Sequence, residues 1–162
     1  MLPRKLLIPD SRFPPPISKS GKIVSIHTYR TSTGQPYIFA VQYSDKMLYW
    51  CYYKYLTEIA PRWLPSRRPP DGVPLYNLHQ ITNNPKAEII ICKDEQTADN
   101  LSRVSLGACR VITTWPLLST NYHRVNYTPL QNRIVTIDRD CLLSRGQLRV
   151  MSRSGVAIDV DK

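Results

Sequence analysis

The sequence is poor in the residues from which many catalytic motifs are built. It has only six glycines among 162 residues, and it contains no P-loop, GxGxxG or GxSxG pattern. The three histidines, His27, His79 and His123, fall in different predicted elements and lack the spacing of metal ligands. These absences exclude the common glycine-rich phosphate-binding loops and a nucleophile elbow.

Cysteine is also sparse and poorly placed for metal binding. None of Cys51, Cys92, Cys109 and Cys141 forms a CxxC pair, so a zinc site of paired thiolates is not expected. No segment has the apolar run of a signal peptide or of a membrane span of ~20 residues. The sequence therefore predicts a cytoplasmic protein with reduced thiols and no membrane association.

Acidic residues are few relative to basic ones. The chain has 12 Asp and Glu against 22 Lys and Arg, which gives a formal net charge of +10. This balance favours an anionic partner, nucleic acid first, because bound cations release counterions from the phosphate backbone. The alternative is a solvated basic surface, and charge alone does not separate the two.

The first 72 residues divide into an arm and a small β segment. Residues 1–20 form a basic, proline-rich arm in which three consecutive prolines exclude a helix or a central strand. Residues 21–72 predict three antiparallel strands, GKIVSIHTYR, PYIFAVQY and MLYWCYYKY, and then an irregular linker over residues 58–72. The linker arginines are candidate nucleic-acid contacts: Arg62, Arg67 and Arg68.

The β segment is rich in tyrosine, with seven of the ten tyrosines between Tyr29 and Tyr55. Exposed tyrosines on a sheet can stack unpaired bases, at about 1–3 kcal/mol each. Tyrosine also simply suits half-buried strands. Both interpretations stay open, and the structural one is favoured.

Residues 73–162 alternate strand and helix patterns, which predicts a parallel sheet flanked by helices. The expected strands are AEIIIC, CRVITTW, RIVTID and VAIDV, and the expected helices are PLYNLHQI, one capped by Asp94 and one over residues 141–154. Polar residues follow two strands, within the stretches Glu88 to Asp99 and Arg133 to Asp140. Ligands bind beyond the carboxyl ends of strands in open α/β sheets, so the candidate site lies there.

Several short motifs follow one another in this part of the chain. They are PLYNL at 74–78, Glu95 with TAD at 97–99, TTWP at 113–116, TPL at 128–130, Arg133, and Asp138 with Asp140. Together with the β segment before them, they resemble the Toprim domain of phage- and plasmid-type primases and primase–helicase fusions. The resemblance covers roughly residues 22–140 and implies a Toprim-like sheet.

The resemblance also implies a metal site. In that family a Glu at the end of the first strand and two aspartates of an Asp-x-Asp hold Mg²⁺, which stabilises charge on a transferring phosphoryl group. The aspartates correspond to Asp138 and Asp140, and Glu95 matches a second family Glu. Lys93 replaces the metal-facing Glu. A lysine ammonium cannot ligate Mg²⁺, and it can pair with Asp138 or Asp140 instead.

The leading functional hypothesis is a catalytically impaired Toprim-like protein that binds nucleic acid, DNA or RNA. Lys93 then stands in for the missing cation. The candidate nucleic-acid contacts are Arg62, Arg67, Arg68, Lys93 and Arg139.

Two alternatives stay open. One is an active Mg²⁺-dependent nucleotidyl- or phosphoryl-transfer enzyme, with Asp138 and Asp140 on the metal and Glu95 or Asp94 as third ligand or general base. The other is a mobile-element protein that docks on or inhibits host machinery. Its apolar patch would include Leu117 and Leu118, where the family has two glycines.

Overall fold

The computed structural model describes residues 21–44, 48–55, 61–66, 74–105, 109–115, 122 and 125–159, with backbone alone for Tyr37 and for residues 48–55 and 61–66. The chain divides into two compact units, Met1–Pro69 and Pro70–Lys162. The described part of each unit holds one four-stranded sheet. The basic arm, Arg67 and Arg68 lie outside the described residues.

The first unit is an antiparallel sheet in the order β1-β2-β3-β4. Its strands are β1 (Ile23–Arg30), β2 (Pro36–Tyr43), β3 (Leu48–Tyr55) and β4 (Pro61–Ser66). In the β1–β2 turn, the Thr31 N–H donates to the Gln35 carbonyl at 2.8 Å and Gly34 has a φ of 83°. Glycine adopts this φ without a Cβ clash. The three predicted strands are confirmed.

Strand β4 shows that the prediction of an irregular segment over residues 58–72 is wrong for residues 61–66. Pro61 and Pro65 pair with Tyr55 and Cys51 of β3. Proline lacks the N–H for a ladder bond, so it is tolerated on an edge strand, where alternate N–H groups face away from the sheet. The two prolines are four residues apart, so their backbone nitrogens point to the same side of the strand. Arg62 therefore belongs to a strand rather than to a loop.

The second unit is a parallel sheet in the order β6-β5-β7-β8. Its strands are β5 (Glu88–Ile91), β6 (Arg110–Thr113), β7 (Val135–Ile137) and β8 (Ile158–Asp159), and its helices are α1 (Leu78–Asn83), α2 (Glu95–Val104) and α3 (Arg145–Arg153). A 3-10 turn spans Thr128–Leu130. The predicted parallel sheet with flanking helices is confirmed.

Two helices begin later than their patterns predict. Helix α1 starts at Leu78 because Asn77 is left-handed, with a φ of 58°. Helix α3 starts after Ser144, whose Oγ accepts from the Gln147 N–H while Gln147 Oε1 accepts from the Ser144 N–H. This reciprocal capping box fixes the helix start. Leu142, assigned to the helix by its pattern, precedes it and is 94% exposed.

The main hydrophobic cluster of the second unit lies on one face of its sheet. Fully buried side chains of β5 and β7 pack there with Ile81 of α1 and Met151 of α3. Ala98 of α2 is buried outside this cluster, so α2 covers the other face. Right-handed crossovers leaving β5 and β7 in opposite directions require this arrangement. None of the described helices is long and apolar enough to cross a membrane.

Candidate functional site

The candidate site lies where the connections of the parallel sheet change direction. Strand β5 continues through α2 to β6 on one side, whereas β7 continues through α3 to β8 on the other. The carboxyl ends of β5 and β7 are adjacent, and the Asp138 N–H donates to the Ile91 carbonyl at 2.8 Å. Such a switch point leaves the crevice in which open α/β sheets bind ligands.

The loop after β5 supplies one wall of this crevice. Cys92 is buried, and its N–H donates to the Thr113 carbonyl at 3.0 Å. Lys93 follows it and is exposed. Asp94 is the N-cap of α2, where its Oδ1 accepts from the Thr97 N–H at 2.7 Å. Its carboxylate therefore satisfies a helix donor.

Glu95 begins α2, and its side chain is almost completely buried, with 1% exposure. A carboxylate in the first turn of a helix is favoured by the helix dipole. The structure thus places Glu95 inside the protein, away from solvent, whereas the sequence offered it as a ligand or base at the sheet edge.

The turn after β7 supplies the opposite wall. Asp138 is half-buried, whereas Arg139 and Asp140 are exposed. The turn closes where the Cys141 N–H donates to the Asp138 carbonyl at 2.8 Å. The two aspartates therefore differ in solvent exposure.

The described residues do not form the expected Lys93–aspartate pair. Among these residues, Arg110 Nε and Glu88 Oε2 form an ion pair at 2.7 Å. Lys93 has no ion-pair partner within the described ranges. In the same ranges, no three His, Cys, Asp or Glu side chains come together in a way that could hold a metal. The donor set of the described crevice therefore does not fit a three-carboxylate Mg²⁺ site.

Two buried thiols lie at the centre of the site. Burial raises the pKa of Cys92 to about 12, and the nearby Cys141, Asp94 and Asp138 add to this effect, against the opposing effect of a hydrogen bond to the Asp94 backbone. Burial, with Asp138 and Asp94, raises the pKa of Cys141 to about 11. The raised pKa values favour the protonated thiols at neutral pH, so neither thiol is activated as a nucleophile.

Three of the motifs that carry the resemblance serve to pack the unit together. The Tyr76 hydroxyl donates to Asp99 Oδ1 at 2.8 Å, which joins PLYNL to the TAD of α2. Thr113 Oγ1 donates to the Tyr76 carbonyl at 2.6 Å. Asn77 Nδ2 donates to the Ile112 carbonyl at 3.1 Å. Sequence reasoning did not identify these contacts between the motifs.

The side chain of Arg133 also makes hydrogen bonds that hold the unit together. Its guanidinium donates to the carbonyls of Ile81, Asn84 and Ala87 at 3.2, 2.6 and 3.0 Å. These carbonyls lie at and just after the end of α1, where helix C=O groups lack partners. Sequence analysis singled out Arg133 only through the resemblance. No local sequence pattern predicts its contacts with residues about fifty positions away.

Several predicted contacts fall outside the described side chains. Arg62 is described by backbone alone. Leu117 and Leu118 lie outside the described residues, as do Arg67 and Arg68. Of the tyrosines proposed for base stacking, Tyr29 and Tyr43 are buried, with 0% and 2% exposure. Those two pack within the sheet and cannot stack on bases.

Comparison of the chain with protein-family models, with curated proteins and with solved structures found no match.

Proposed function

We propose that this chain is a Toprim-like nucleic-acid-binding protein, related to phage and plasmid primases, in which phosphoryl-transfer catalysis is impaired. The observation that carries this proposal is the exposed Lys93 just past the carboxyl end of β5, beside a crevice whose Asp94 caps a helix. A cation at this position attracts a phosphate and repels a divalent metal ion.

The net charge of the chain supports a polyanionic ligand. Lys93 and Arg139 are exposed cations in the two loops of the site, beside the carboxylates of Asp94, Asp138 and Asp140. The chain as a whole carries +10. Neutralisation of phosphates by such side chains supplies most of the affinity in sequence-independent nucleic-acid binding.

The arrangement of carboxylates supports impaired catalysis. Mg²⁺ takes oxygen ligands in near-octahedral geometry, of which one or two are usually carboxylates. Glu95 is buried, and Asp94 accepts a backbone N–H. Asp138 and Asp140 are then the remaining candidates, and they differ in exposure.

The active-enzyme alternative keeps one supporting observation. The hydrogen bond from the Asp138 N–H to Ile91 holds the Asp-x-Asp turn against the end of β5. That is where a metal-dependent enzyme of this topology would need a ligand. The experiment below separates this alternative from the proposal.

Fluorescence anisotropy with labelled single-stranded and duplex oligonucleotides, with Mg²⁺ or with EDTA, tests the proposal. Affinity is expected to fall steeply between about 50 and 200 mM salt, to the same extent in both buffers. Lys93→Gln is expected to reduce the slope of log K against log salt by about 0.7–0.9. Lys86→Gln is the matched control, because Lys86 is exposed and precedes β5 at its other end.

Two results would overturn the proposal. One is the absence of oligonucleotide binding at low salt. The other is turnover of a nucleotide substrate that is lost in both Asp138→Asn and Asp140→Asn, together with calorimetric Mg²⁺ binding that is lost in Asp138→Ala. The second result would establish the active enzyme.

A further inference from the structure

Helix α3 carries a row of three arginines on its solvent side. Arg145, Arg149 and Arg153 are spaced at i, i+4 and i+8, and all three are exposed. At 1.5 Å per residue the row is about 12 Å long. Residues four apart lie on one face of a helix, so the three side chains form a single arginine stripe.

The opposite side of α3 holds the helix on the protein. Met151 is fully buried in the main hydrophobic cluster, and Val150 packs against that cluster. Met151 is rotated by about 200° from Arg149, at 100° per residue. The stripe therefore faces away from the core on an anchored helix.

Among the described residues, no acidic side chain pairs with the stripe. Helix α3 contains no acidic residue, and none of the three arginines has an ion-pair partner among the described residues. Like charges at i, i+4 disfavour a helix, and α3 carries two such pairs. A surface of this kind is stabilised when a polyanion binds to it.

We infer that the arginine stripe of α3 is the surface on which this protein tracks a nucleic-acid backbone. This inference rests on the proposed nucleic-acid binding and assigns it to an element that the sequence motifs did not point to. Arginine suits this role because its planar guanidinium can contact phosphate oxygens bidentately. The N-terminal end of α3 follows the Asp138–Asp140 turn, so the stripe starts on the crevice side of the sheet.

The test compares two triple variants in the same salt titration of oligonucleotide binding. Arg145→Gln/Arg149→Gln/Arg153→Gln removes the stripe. Its control removes the same charge from exposed side chains elsewhere, at Lys22, Lys86 and Arg103, each changed to Gln. The stripe variant is expected to reduce the salt slope by about 2–3, with a correspondingly large loss of affinity at low salt. The control is expected to leave the slope within one unit of the wild type.

The outcomes distinguish this inference from the proposed function. Equal losses in both triple variants would overturn the stripe assignment and leave nucleic-acid binding intact. A wild-type protein that binds no oligonucleotide would overturn both, and binding of the wild type to phosphatidylserine vesicles alone would assign the stripe to a membrane surface. The stripe variant should melt close to the wild type, because the repulsion that it removes from α3 offsets the loss of Arg153 from the last turn, so lost binding would not reflect unfolding.

Discussion

The guanidinium of Arg133 makes a sharp stability prediction, because one side chain satisfies three carbonyls. It contacts Ile81, Asn84 and Ala87. Helix α1 has no basic residue in its own last turn, so Arg133 also supplies the cation that the helix dipole favours there. The informative perturbation is Arg133→Met, which keeps an unbranched apolar stem and removes the charge and all five donors.

The expected magnitude follows from the three contacts. A hydrogen bond to a charged group contributes about 1.5–3 kcal/mol, and bonds that share one guanidinium do not add. We expect Arg133→Met to lower the free energy of unfolding by about 2–3 kcal/mol. Arg133→Lys should cost about half of that, because an ammonium keeps the charge but lacks the planar fork.

Urea denaturation followed by circular dichroism measures the global effect, and hydrogen exchange of the α1 segment measures the local one. Exchange in α1 should accelerate more than exchange in β5, since the Arg133 guanidinium contacts the end of α1. Arg103→Met is the matched control, because Arg103 is exposed in the last turn of α2. It should cost no more than about 1 kcal/mol, the usual limit of a helix-dipole contribution. Equal losses of unfolding free energy in the Arg133 and Arg103 variants would refute the stabilising role of the Arg133 hydrogen bonds.

Three further predictions concern the site and its support. Asp94→Ala should lower the free energy of unfolding by about 1 kcal/mol and Asp94→Asn by much less, in urea titrations; equal losses would mean that the carboxylate is not a cap. Burial raises the folded pKa values of Cys141 and Cys92 to about 11 and about 12, above the value of about 8.5 for an unfolded thiol. The stabilising contribution of the two thiols should therefore be fully present below pH ~8.5 and should be lost as pH rises toward the folded values. The Cys92→Ala/Cys141→Ala double variant should flatten this alkaline fall, and an unchanged fall would contradict the assignment. Gly146→Ala should raise the free energy of unfolding by less than the ~1 kcal/mol of helix propensity, because the added Cβ would meet the Tyr122 hydroxyl. In a Tyr122→Ala background the full increase should appear. Identical changes in both backgrounds would disprove the contact.

The elements that the sequence predicts well are those with a strong local pattern. Strands β1, β2 and β5 follow clear apolar alternation or a short apolar run, and Asp94 is the residue type that caps helices. Strand β4 was missed because its prolines argue against a strand unless its position at an edge is known. That position depends on pairing with β3, which is a tertiary fact.

The sequence predicted that the strands of the second unit would end at one edge of a sheet, but not the contacts made there. The carboxyl ends of β5 and β7 do lie side by side, which is consistent with the parallel sheet expected from alternating strands and helices. The burial of Glu95 and the absence of a Lys93–aspartate pair among the described residues depend on the direction of α2 and on the loop that precedes it. A sequence alignment to a motif fixes neither of these.

The residues that carry the Toprim resemblance divide into two groups with different consequences. Tyr76, Thr113 and Arg133 make buried or clamping hydrogen bonds that hold the unit together. Residues of this group can persist wherever the packing persists, because an unsatisfied buried polar group costs about 1–3 kcal/mol. Lys93, where the sequence departs from those motifs, forms the second group: it is exposed and has no ion-pair partner among the described residues. Packing does not restrain such a position, so its side chain can be exchanged while the fold stays intact.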